Sequence, residues 1–302
     1  MEENTKKVYL FLMATAVLWG ANPIAVKSVL GEMTPTMIVL VRFLGISLIL
    51  LAVTMVKEKK NAFPPKQHIL ALILMGLTGV GINNGLQFTG LQYSTAINCV
   101  LVSALTPALT AFMAGMFLNE RLQARQWIGV LLSLSGVAFL VTHGSVEMIR
   151  QLAFNKGDLL FLSGQLGWAI YTLLSRKVLK DMSPMATTAW SGLAGAVFMG
   201  VAALFEGQSG VHSLSYFGWL SMLYMIAGSG ILAFNWWNVG VAAVGPNRAS
   251  IFLNVIPLAG ILLSVIFLHE HIGWRECIGG VCILLGVYLT VQKMGDSEAQ
   301  AA

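Results

Sequence analysis

Long apolar runs bounded by charged residues, proline or glycine follow one another along almost the whole chain. A helix that crosses a bilayer needs about 20 apolar residues, and runs of about that length recur up to the C-terminal tail. The pattern predicts an all-α integral membrane protein with ten transmembrane helices. The predicted spans are residues 8–29, 35–56, 69–90, 96–118, 126–142, 158–176, 185–205, 216–239, 247–268 and 273–292.

The composition leaves no room for a soluble domain. Of the 302 residues, 57% are hydrophobic and 10% are charged, whereas soluble domains carry about 25% charged residues. A secreted enzyme, a cytosolic fold and a nucleic-acid-binding protein are therefore excluded, and membrane lipid is the expected surrounding. Cys99, Cys277 and Cys282 lie in apolar runs without metal-ligand spacing, so they are interpreted as small hydrophobic residues.

Basic residues predict the orientation. With the N-terminus in the cytoplasm, Arg42 lies inside a span and most of the 18 Lys and Arg residues lie in inner segments. The outer segments then hold only Lys27, Arg150, Lys156 and Arg275. Because cytoplasmic loops are enriched in Lys and Arg, we predict that both termini are cytoplasmic, in a plasma membrane such as the bacterial inner membrane.

The chain repeats itself. The sequence VLGEMTP at 29–35 returns as VLKDMSP at 178–184, and Trp19 and Trp168 precede these stretches at the same 149-residue spacing. We predict a first five-helix repeat at 1–142, an outer linker at 143–156, and a second repeat with a short cytoplasmic tail at 157–302. Because five is odd, the second repeat must be inverted, which places a cavity between the repeats near the membrane midplane.

These stretches resemble a known family. WGANPIAVKSVL at 19–30, the Arg42–Phe43 pair and the block GLQYSTAINCVLVSALTPALTAFMAGMFLNERLQARQWIGVLLSLSGVAFLV at 90–141 are similar to EamA-type members of the drug/metabolite transporter superfamily. The second copy shows the same block through Pro257 and the LHE at 268–270. The resemblance implies ten helices in inverted five-helix repeats and movement of small metabolites, often export of amino acids. It does not name the solute.

Polar and aromatic side chains inside the spans are the candidates for a solute cavity. They are costly against lipid, so we expect them to face the interior, some as links between helices. Amides and indoles suit neutral or zwitterionic solutes, because they offer both hydrogen bonds and apolar faces. The candidates are Trp19, Asn22, Arg42, Asn83, Asn84, Gln87, Ser103, Gln165, Trp168, Tyr171, Asn235, Trp236 and Asn254.

Arg42 is the only basic residue well inside a span. An ionisable group at that depth is a functional candidate by default. The alternative is an arginine that snorkels outward or caps carbonyl groups of a neighbouring helix, and both interpretations stay open at this point.

Prolines within spans predict kinks, because each removes a backbone donor and leaves the carbonyl four residues earlier without its helical partner. Pro107 and Pro257 occupy equivalent repeat positions, which favours a role as cavity-lining bends or hinges over simple packing. Kinks are expected at Pro23, Pro107 and Pro257.

Two acids, Glu120 and Glu270, lie at equivalent ends of spans four and nine, on opposite membrane faces. We expect a gating or scaffold role, as a carboxylate exposed at the interface and paired with a loop arginine such as Arg121 or Arg125. Histidines flank Glu270, but no further ligand lies near in sequence, so neither a metal site nor another cofactor is predicted.

Three classes of function compete. The preferred one is a secondary transporter that moves small polar metabolites, with amino acids or related compounds favoured, out of the cytoplasm by alternating access. A channel is the second, since Asn22 and Pro23 resemble the Asn-Pro of aquaporin loops, although in a single copy. An intramembrane hydrolase is the third, since GQSG at 207–210 has the form used by rhomboid proteases, although the histidines lie at span ends or in loops. The sequence does not determine the oligomeric state.

Energy coupling is predicted from the placement of acids. Proton-driven carriers commonly use a carboxylate or histidine embedded in the membrane, whereas the acids here lie in tails, in loops or at span ends. We therefore expect the solute gradient to drive transport, with the membrane potential contributing only for a charged solute. The alternative is that Asp158 or Glu270 is drawn into the closed core and carries a proton.

Overall fold

The computed structural model describes residues 2–117, 123–142, 144–145, 155–205 and 213–291, and within these ranges the chain is helical without strands. The all-α prediction is confirmed for this part of the chain. Glu120, the GQSG stretch and most of the predicted linker lie outside the described residues.

Helices follow one another in the order that the apolar runs predict. The first group is α1 (Glu2–Lys27), α2 (Pro35–Glu58), α3 (Ile69–Met75), α4 (Gly85–Gly90), α5 (Ala96–Ser103), α6 (Thr106–Phe117) and α7 (Ala124–Val141). The second group is α8 (Lys156–Val178), α9 (Pro184–Phe205), α10 (Tyr216–Ile226), α11 (Ala233–Ile251), α12 (Val255–Leu268) and α13 (Trp274–Val291). Within α11 the chain is kinked at Gly245, whose φ of 81° is not helical. π-helical turns at Gly76–Asn84 and Ala227–Leu232 join α3 to α4 and α10 to α11.

Several helical runs are long and apolar enough to cross a membrane. Six reach this length and hydropathy among the described residues: Lys6–Lys27, Pro35–Ala62, Lys66–Gly90, Ala96–Met113, Pro184–Phe205 and Tyr216–Gly245. Ala124–Leu140 and Phe252–Leu268 are shorter apolar helices. Such a set of helices makes the chain an integral membrane protein.

Side-chain caps begin several of the helices. The Thr34 hydroxyl accepts the Met37 N–H before α2, and the Thr95 hydroxyl accepts the Asn98 N–H before α5. Asn155 accepts N–H groups of the first turn of α8. Each cap satisfies a backbone donor that the first turn leaves unpaired, so these starts are set locally by sequence.

The prolines act differently from one another. The helix stops at Ser103 and restarts at Thr106, just before Pro107, and the freed Ser103 carbonyl accepts the Thr106 hydroxyl at 2.6 Å. Pro257 lies in the first turn of α12, directly after a 3₁₀ turn at Phe252–Asn254. These interruptions agree with the expected bends. In contrast, α1 continues through Pro23 to Lys27 without an interruption of the helix.

Small residues allow α7 and α13 to approach closely. A Cβ atom on Gly129 would lie 2.5 Å from the Gly286 carbonyl oxygen, and one on Gly136 would lie 2.8 Å from that of Gly279. Such small-residue contacts are typical of helix pairs in membranes, where close backbone packing replaces the hydrophobic effect.

Candidate functional site

A cavity of about 70 Å³ lies where the two halves of the chain meet. The described residues of the first half are within 2–142, and those of the second half are within 155–291. Many of the sequence-based candidates line it: Trp19, Asn22, Arg42, Asn83, Asn84, Gln87, Ser103, Gln165 and Trp168. Pro23, Val100, Thr106, Phe234, Leu253 and Ile256 complete the described wall.

Three aromatic rings form one wall of the cavity. The Trp19 and Trp168 rings are 5.2 Å apart in an edge-to-face arrangement, and Phe234 packs edge-on against both, at 5.4 and 5.6 Å. The Trp19 indole N–H donates to the Ser229 carbonyl at 3.0 Å. Because edge-to-face packing fixes ring orientation, this wall offers a rigid apolar surface to a bound molecule.

Arg42 is buried and lies at the cavity with its guanidinium held by neutral groups. Its Nε donates to the Met225 carbonyl at 3.0 Å, Nη1 donates to Asn84 Oδ1 at 3.0 Å, and Nη2 donates to the Ser229 carbonyl and hydroxyl at 3.3 and 3.1 Å. The Phe43 ring lies 5.2 Å from the guanidinium carbon. Arg42 therefore caps carbonyls of a neighbouring helix, as one interpretation of the sequence expected, and it also lines the cavity.

Amide side chains connect the cavity wall to the helices behind it. Asn83 Nδ2 donates to the Gly164 carbonyl at 2.9 Å. Gln165 Nε2 donates to the Ser103 hydroxyl at 3.0 Å. Its Oε1 lies 2.7 Å from the Thr106 hydroxyl, whose single proton is shared between this oxygen and the Ser103 carbonyl. These bonds join α8 of the second half to the broken helix at Pro107. Ser103 and Thr106, on either side of the break, both line the cavity.

Two residues that line the cavity carry side-chain donors for which the described part of the chain offers no acceptor. Among the described residues, none accepts a hydrogen bond from the Trp168 indole N–H or from Asn22 Nδ2, and neither atom is among those sealed from solvent. Asn22 Oδ1, in contrast, accepts the Ser229 hydroxyl at 2.8 Å. The cavity therefore presents hydrogen-bond donors to whatever occupies it.

The two π-helical turns position much of this site. Gly76–Asn84 carries Asn83 and Asn84 to the cavity, and Asn84 Nδ2 donates to the Gly79 carbonyl at 2.7 Å. In Ala227–Leu232, the Ser229 carbonyl accepts hydrogen bonds from the Trp19 indole N–H and from Arg42 Nη2. A π turn leaves carbonyls displaced from the regular helical ladder, so they can accept side-chain donors.

Four sequence-based candidates do not line the cavity. Tyr171 lies behind Trp168, with the two rings stacked 4.8 Å apart. Asn235 and Trp236 follow Phe234 on α11, and successive helical side chains turn by about 100°, so they point elsewhere. Trp236 stacks on Phe11 at 5.2 Å instead. Asn254 lies beside the lining residue Leu253, and its Oδ1 is buried without a partner among the described residues.

Sequence reasoning missed several residues at the site, among them the lining residues Val100, Leu253 and Ile256. Phe234 and Thr106 line the cavity, and Ser229 holds the side chains of Trp19, Asn22 and Arg42. The sequence could have indicated Thr106 as a site residue, since it directly precedes a proline within a span. Ser229 had none, because a single serine in a glycine-rich apolar run is common in membrane helices.

Glu270 corrects one sequence-based expectation. Its carboxylate pairs with Lys27 Nζ at 2.9 Å, rather than with a loop arginine, and its side chain is only 11% exposed. It also accepts the backbone N–H groups of Ala96 and Ile97 at 2.9 and 3.0 Å. A carboxylate in this position satisfies orphan donors and complements the helix dipole of α5.

Asp158 is fully buried, although the sequence places it at a span end. It lies in the first turn of α8 and accepts the Ser94 hydroxyl and Asn98 Nδ2, the latter at 3.2 and 3.3 Å to its two oxygens. The interior therefore contains a carboxylate that the sequence-based interpretation left at the periphery.

Glu32 joins the two halves outside the membrane-spanning helices. The Ser215 backbone N–H donates to its carboxylate at 2.9 Å. Hydrogen bonds from the Ser215 side chain and backbone hold the pKa of Glu32 below its usual 4.5. Because the pKa is lowered in the folded state, this contact favours folding at neutral pH and is lost as the pH falls through the lowered value.

Comparison with known proteins gives a consistent set of matches. A model of the EamA-like transporter family matches the chain twice, over residues 6–142 and 155–292. The uncharacterized transporter YyaM of Bacillus subtilis is 28% identical over 281 residues, covering 93% of this chain and 92% of that protein. An uncharacterized transporter of Archaeoglobus fulgidus is 28% identical over 288 residues, covering 95% and 98%.

Two further matches extend the comparison. The uncharacterized inner membrane transporter YedA of Escherichia coli is 24% identical over 284 residues, covering 93% of this chain and 90% of that protein. A crystal structure with 18% sequence identity superposes with a TM-score of 0.68 over 98% of this chain and 99% of that chain. At that identity the likeness concerns the fold alone.

Proposed function

The chain belongs to the EamA-like transporter family, within the drug/metabolite transporter superfamily, and we propose on this premise that it exports small polar metabolites, particularly amino acids and related compounds, by alternating access. The family membership confirms the resemblance that the sequence indicated. Because family members are transporters, the chain is a membrane transporter, and the proposal assigns it no enzymatic activity.

The observation that carries the proposal is the cavity between the two halves. Its described wall combines amides, hydroxyls and indoles with aliphatic side chains. A small polar metabolite needs this mixture, since hydrogen-bonding groups bind its polar end and apolar surfaces accept the remainder. Asn22 Nδ2 and the Trp168 indole N–H, which have no acceptor among the described residues, are available to bind such a solute.

We further propose ten spans in two inverted five-helix repeats, divided at 1–142 and 157–302. Equivalent positions of the two halves support this, because the π-helical turns Gly76–Asn84 and Ala227–Leu232 coincide at the 150-residue spacing of the repeat. The glycine contacts of α7 with α13 are reciprocal at the same spacing, since Gly129 and Gly136 correspond to Gly279 and Gly286.

Contacts between loops also support inversion. Glu32 of the first half meets Ser215 of the second half. Its repeat equivalent, Asp181, meets His68 of the first half at 2.6 Å. In ten spans of alternating direction, these two contacts lie on opposite faces of the membrane, as a two-fold axis in the membrane plane requires.

Cytoplasmic termini and a plasma-membrane location are part of the proposal. The excess of Lys and Arg in the assigned inner segments supports this orientation, and YedA is named as an inner membrane transporter. With cytoplasmic termini, the Lys27–Glu270 pair faces outward and the His68–Asp181 pair faces inward. Alternating access would break these links between the halves in turn.

Uptake and counterflow in proteoliposomes test the proposed function. Vesicles loaded with unlabelled amino acid should accumulate radiolabelled amino acid transiently, because a carrier exchanges solute across one alternating site. Flux that rises linearly with concentration and shows no counterflow would support a channel instead. Chemical conversion of the solute would support a hydrolase, and either result would contradict the proposal.

A further inference from the structure

We propose that Arg42 binds the carboxylate of the solute, so that the cavity selects molecules bearing a carboxylate over otherwise matched neutral amides. This inference rests on the proposed transport of small polar metabolites, and it assigns the chemical group that the cavity recognises. It concerns amino acids and related organic acids alike, because the group they share is the carboxylate.

The first observation is that the charge of Arg42 meets no carboxylate among the residues that the structure describes. Its hydrogen bonds run to two backbone carbonyls, one amide and one hydroxyl, all of them neutral. No Asp or Glu is among the described residues that line the cavity. Asp158 and the largely buried Glu270 lie at the start of α5 instead. Asp158 accepts Asn98 Nδ2, and Glu270 accepts the backbone N–H of Ala96. The cavity therefore carries a positive charge that the described wall leaves uncompensated.

A positive charge in a site of low polarity attracts an anion far more strongly than it would in water. Hydrogen bonds to neutral acceptors solvate the guanidinium but do not cancel its charge. A bound carboxylate would supply the missing counter-charge and would form a charge-assisted hydrogen bond.

The second observation is that donors are available beside Arg42. A guanidinium has five N–H donors, and its four bonds leave at least one Nη1–H without an acceptor among the described residues. The Ser229 hydroxyl connects Arg42 to Asn22, because its Oγ accepts a hydrogen bond from Arg42 Nη2 and donates one to Asn22 Oδ1. Asn22 Nδ2 and the Trp168 indole N–H add further donors.

A carboxylate is the functional group that matches such a wall. It is an acceptor with about four lone-pair sites and no hydrogen to donate. A primary amide of the same shape has only one acceptor oxygen, and its NH₂ group would face other donors. The wall should therefore discriminate between an acid and its amide, whatever the α-substituent.

Two acid and amide pairs test the inference in proteoliposomes: lactate against lactamide, and alanine against alaninamide. The saturable flux, after subtraction of flux into protein-free vesicles, should be about tenfold or more higher for each acid than for its amide. Because this comparison uses the unaltered protein, it does not depend on whether an Arg42 variant folds.

Variants then assign the selectivity to Arg42. Arg42→Gln should bring the acid-to-amide flux ratio close to one, whereas Arg42→Lys should retain part of it, because the charge remains. Asn22→Ala, which leaves the guanidinium in place, should reduce the ratio without abolishing it. Tryptophan fluorescence and gel filtration establish that each variant is folded.

The outcomes separate the inference from the proposed function. Saturable flux of acid and amide at equal rates would overturn carboxylate recognition and leave transport intact. An acid preference that is unchanged in folded Arg42→Gln would also overturn it, since the charge would then be irrelevant. No saturable flux of any of the four solutes would contradict the proposed function and the inference together.

Discussion

Trp168 shows how one side chain can serve packing and the cavity at once. One face of its ring stacks on Tyr171 at 4.8 Å, and Trp19 packs edge-on at 5.2 Å. The ring lines the cavity, and no described residue accepts a hydrogen bond from its indole N–H. Arg42 combines roles in a similar way, since it joins α2 to the π turn of the second half while lining the site.

Trp168→Ala should lower the saturable solute flux by about tenfold, because an aromatic contact contributes about 0.5–1.5 kcal/mol beyond its buried area, and 1.4 kcal/mol is tenfold. Trp236→Ala is the matched control, since Trp236 stacks on Phe11 away from the cavity. Flux in proteoliposomes with equal amounts of folded protein measures both. Equal losses in the two variants would show that the effect is general destabilisation.

Glu270→Gln should lower the free energy of unfolding by about 1–3 kcal/mol, because it removes the charge from a largely buried hydrogen-bonded pair. Glu32→Gln is the control, since its contact is at the surface and should change stability little. Thermal unfolding in detergent measures both variants. A thermal midpoint of Glu270→Gln equal to that of the parent protein would contradict the assigned role at α5.

At the scale of elements, the interruptions of the helices are what build the site. The break before Pro107 brings Ser103 and Thr106 to the cavity, and the two π turns supply displaced carbonyls and the side chains of Asn83 and Asn84. Regular helices would hide these carbonyls within their own ladders. Close glycine contacts then hold the irregular segments against neighbouring helices.

Gly76→Ala should destabilise the protein by about 1–3 kcal/mol, because the added Cβ would lie 2.6 Å from backbone atoms of Gly195 and Ser191. Gly81→Ala, in the same π turn, should be tolerated, since the nearest atom would be 3.8 Å away. Thermal unfolding in detergent compares the two. If Gly81→Ala were the more damaging change, the packing of this turn would be different from that described.

At the scale of the whole molecule, two ion pairs between the halves lie at opposite ends of the described helices, with the cavity between them. Lys27 and Glu270 link the halves at one end, and His68 and Asp181 link them at the other. Proposed alternating access requires such links to form and break, which polar pairs near the membrane surface do more easily than an apolar core.

Cysteine labelling tests the proposed inversion at one pair of equivalent positions. Gly31 and Lys180 correspond in the repeat, and both are exposed. In a cysteine-free background, Gly31→Cys should react with an impermeant maleimide from outside the cell, and Lys180→Cys only after permeabilisation. Lys60→Cys is an internal control that should behave as Lys180→Cys does. Reaction of Gly31→Cys and Lys180→Cys from the same side would contradict inverted repeats.

Energy coupling is tested with equal solute on both sides of the vesicle membrane. With the potential clamped by potassium and valinomycin, an imposed pH gradient should cause no accumulation of a neutral solute, because the expected driving force is the solute gradient. Concentrative uptake would overturn that expectation. Its loss in Asp158→Asn, but not in Asp181→Asn, would then identify the buried Asp158 as the proton carrier.

The sequence by itself determined the properties that local patterns encode. Apolar length predicts membrane helices because lipid leaves backbone groups no partners outside the helix. Those helices were found near their predicted positions, and the family resemblance was confirmed because its motifs lie within continuous stretches. The cost of polar groups against lipid likewise indicated which residues face inward, including Trp19, Asn84 and Gln165.

Only the tertiary structure decided which inward residues share one cavity and which partners they have. Asn235 is next to Phe234 in sequence but points elsewhere, because helix rotation separates neighbours by about 100°. Lys27 and Glu270 are 243 residues apart, and Arg42 is 187 from Ser229. No local pattern encodes such pairs, because they depend on how two halves of the chain pack. That packing made Glu270 a helix cap and buried Asp158 within the protein.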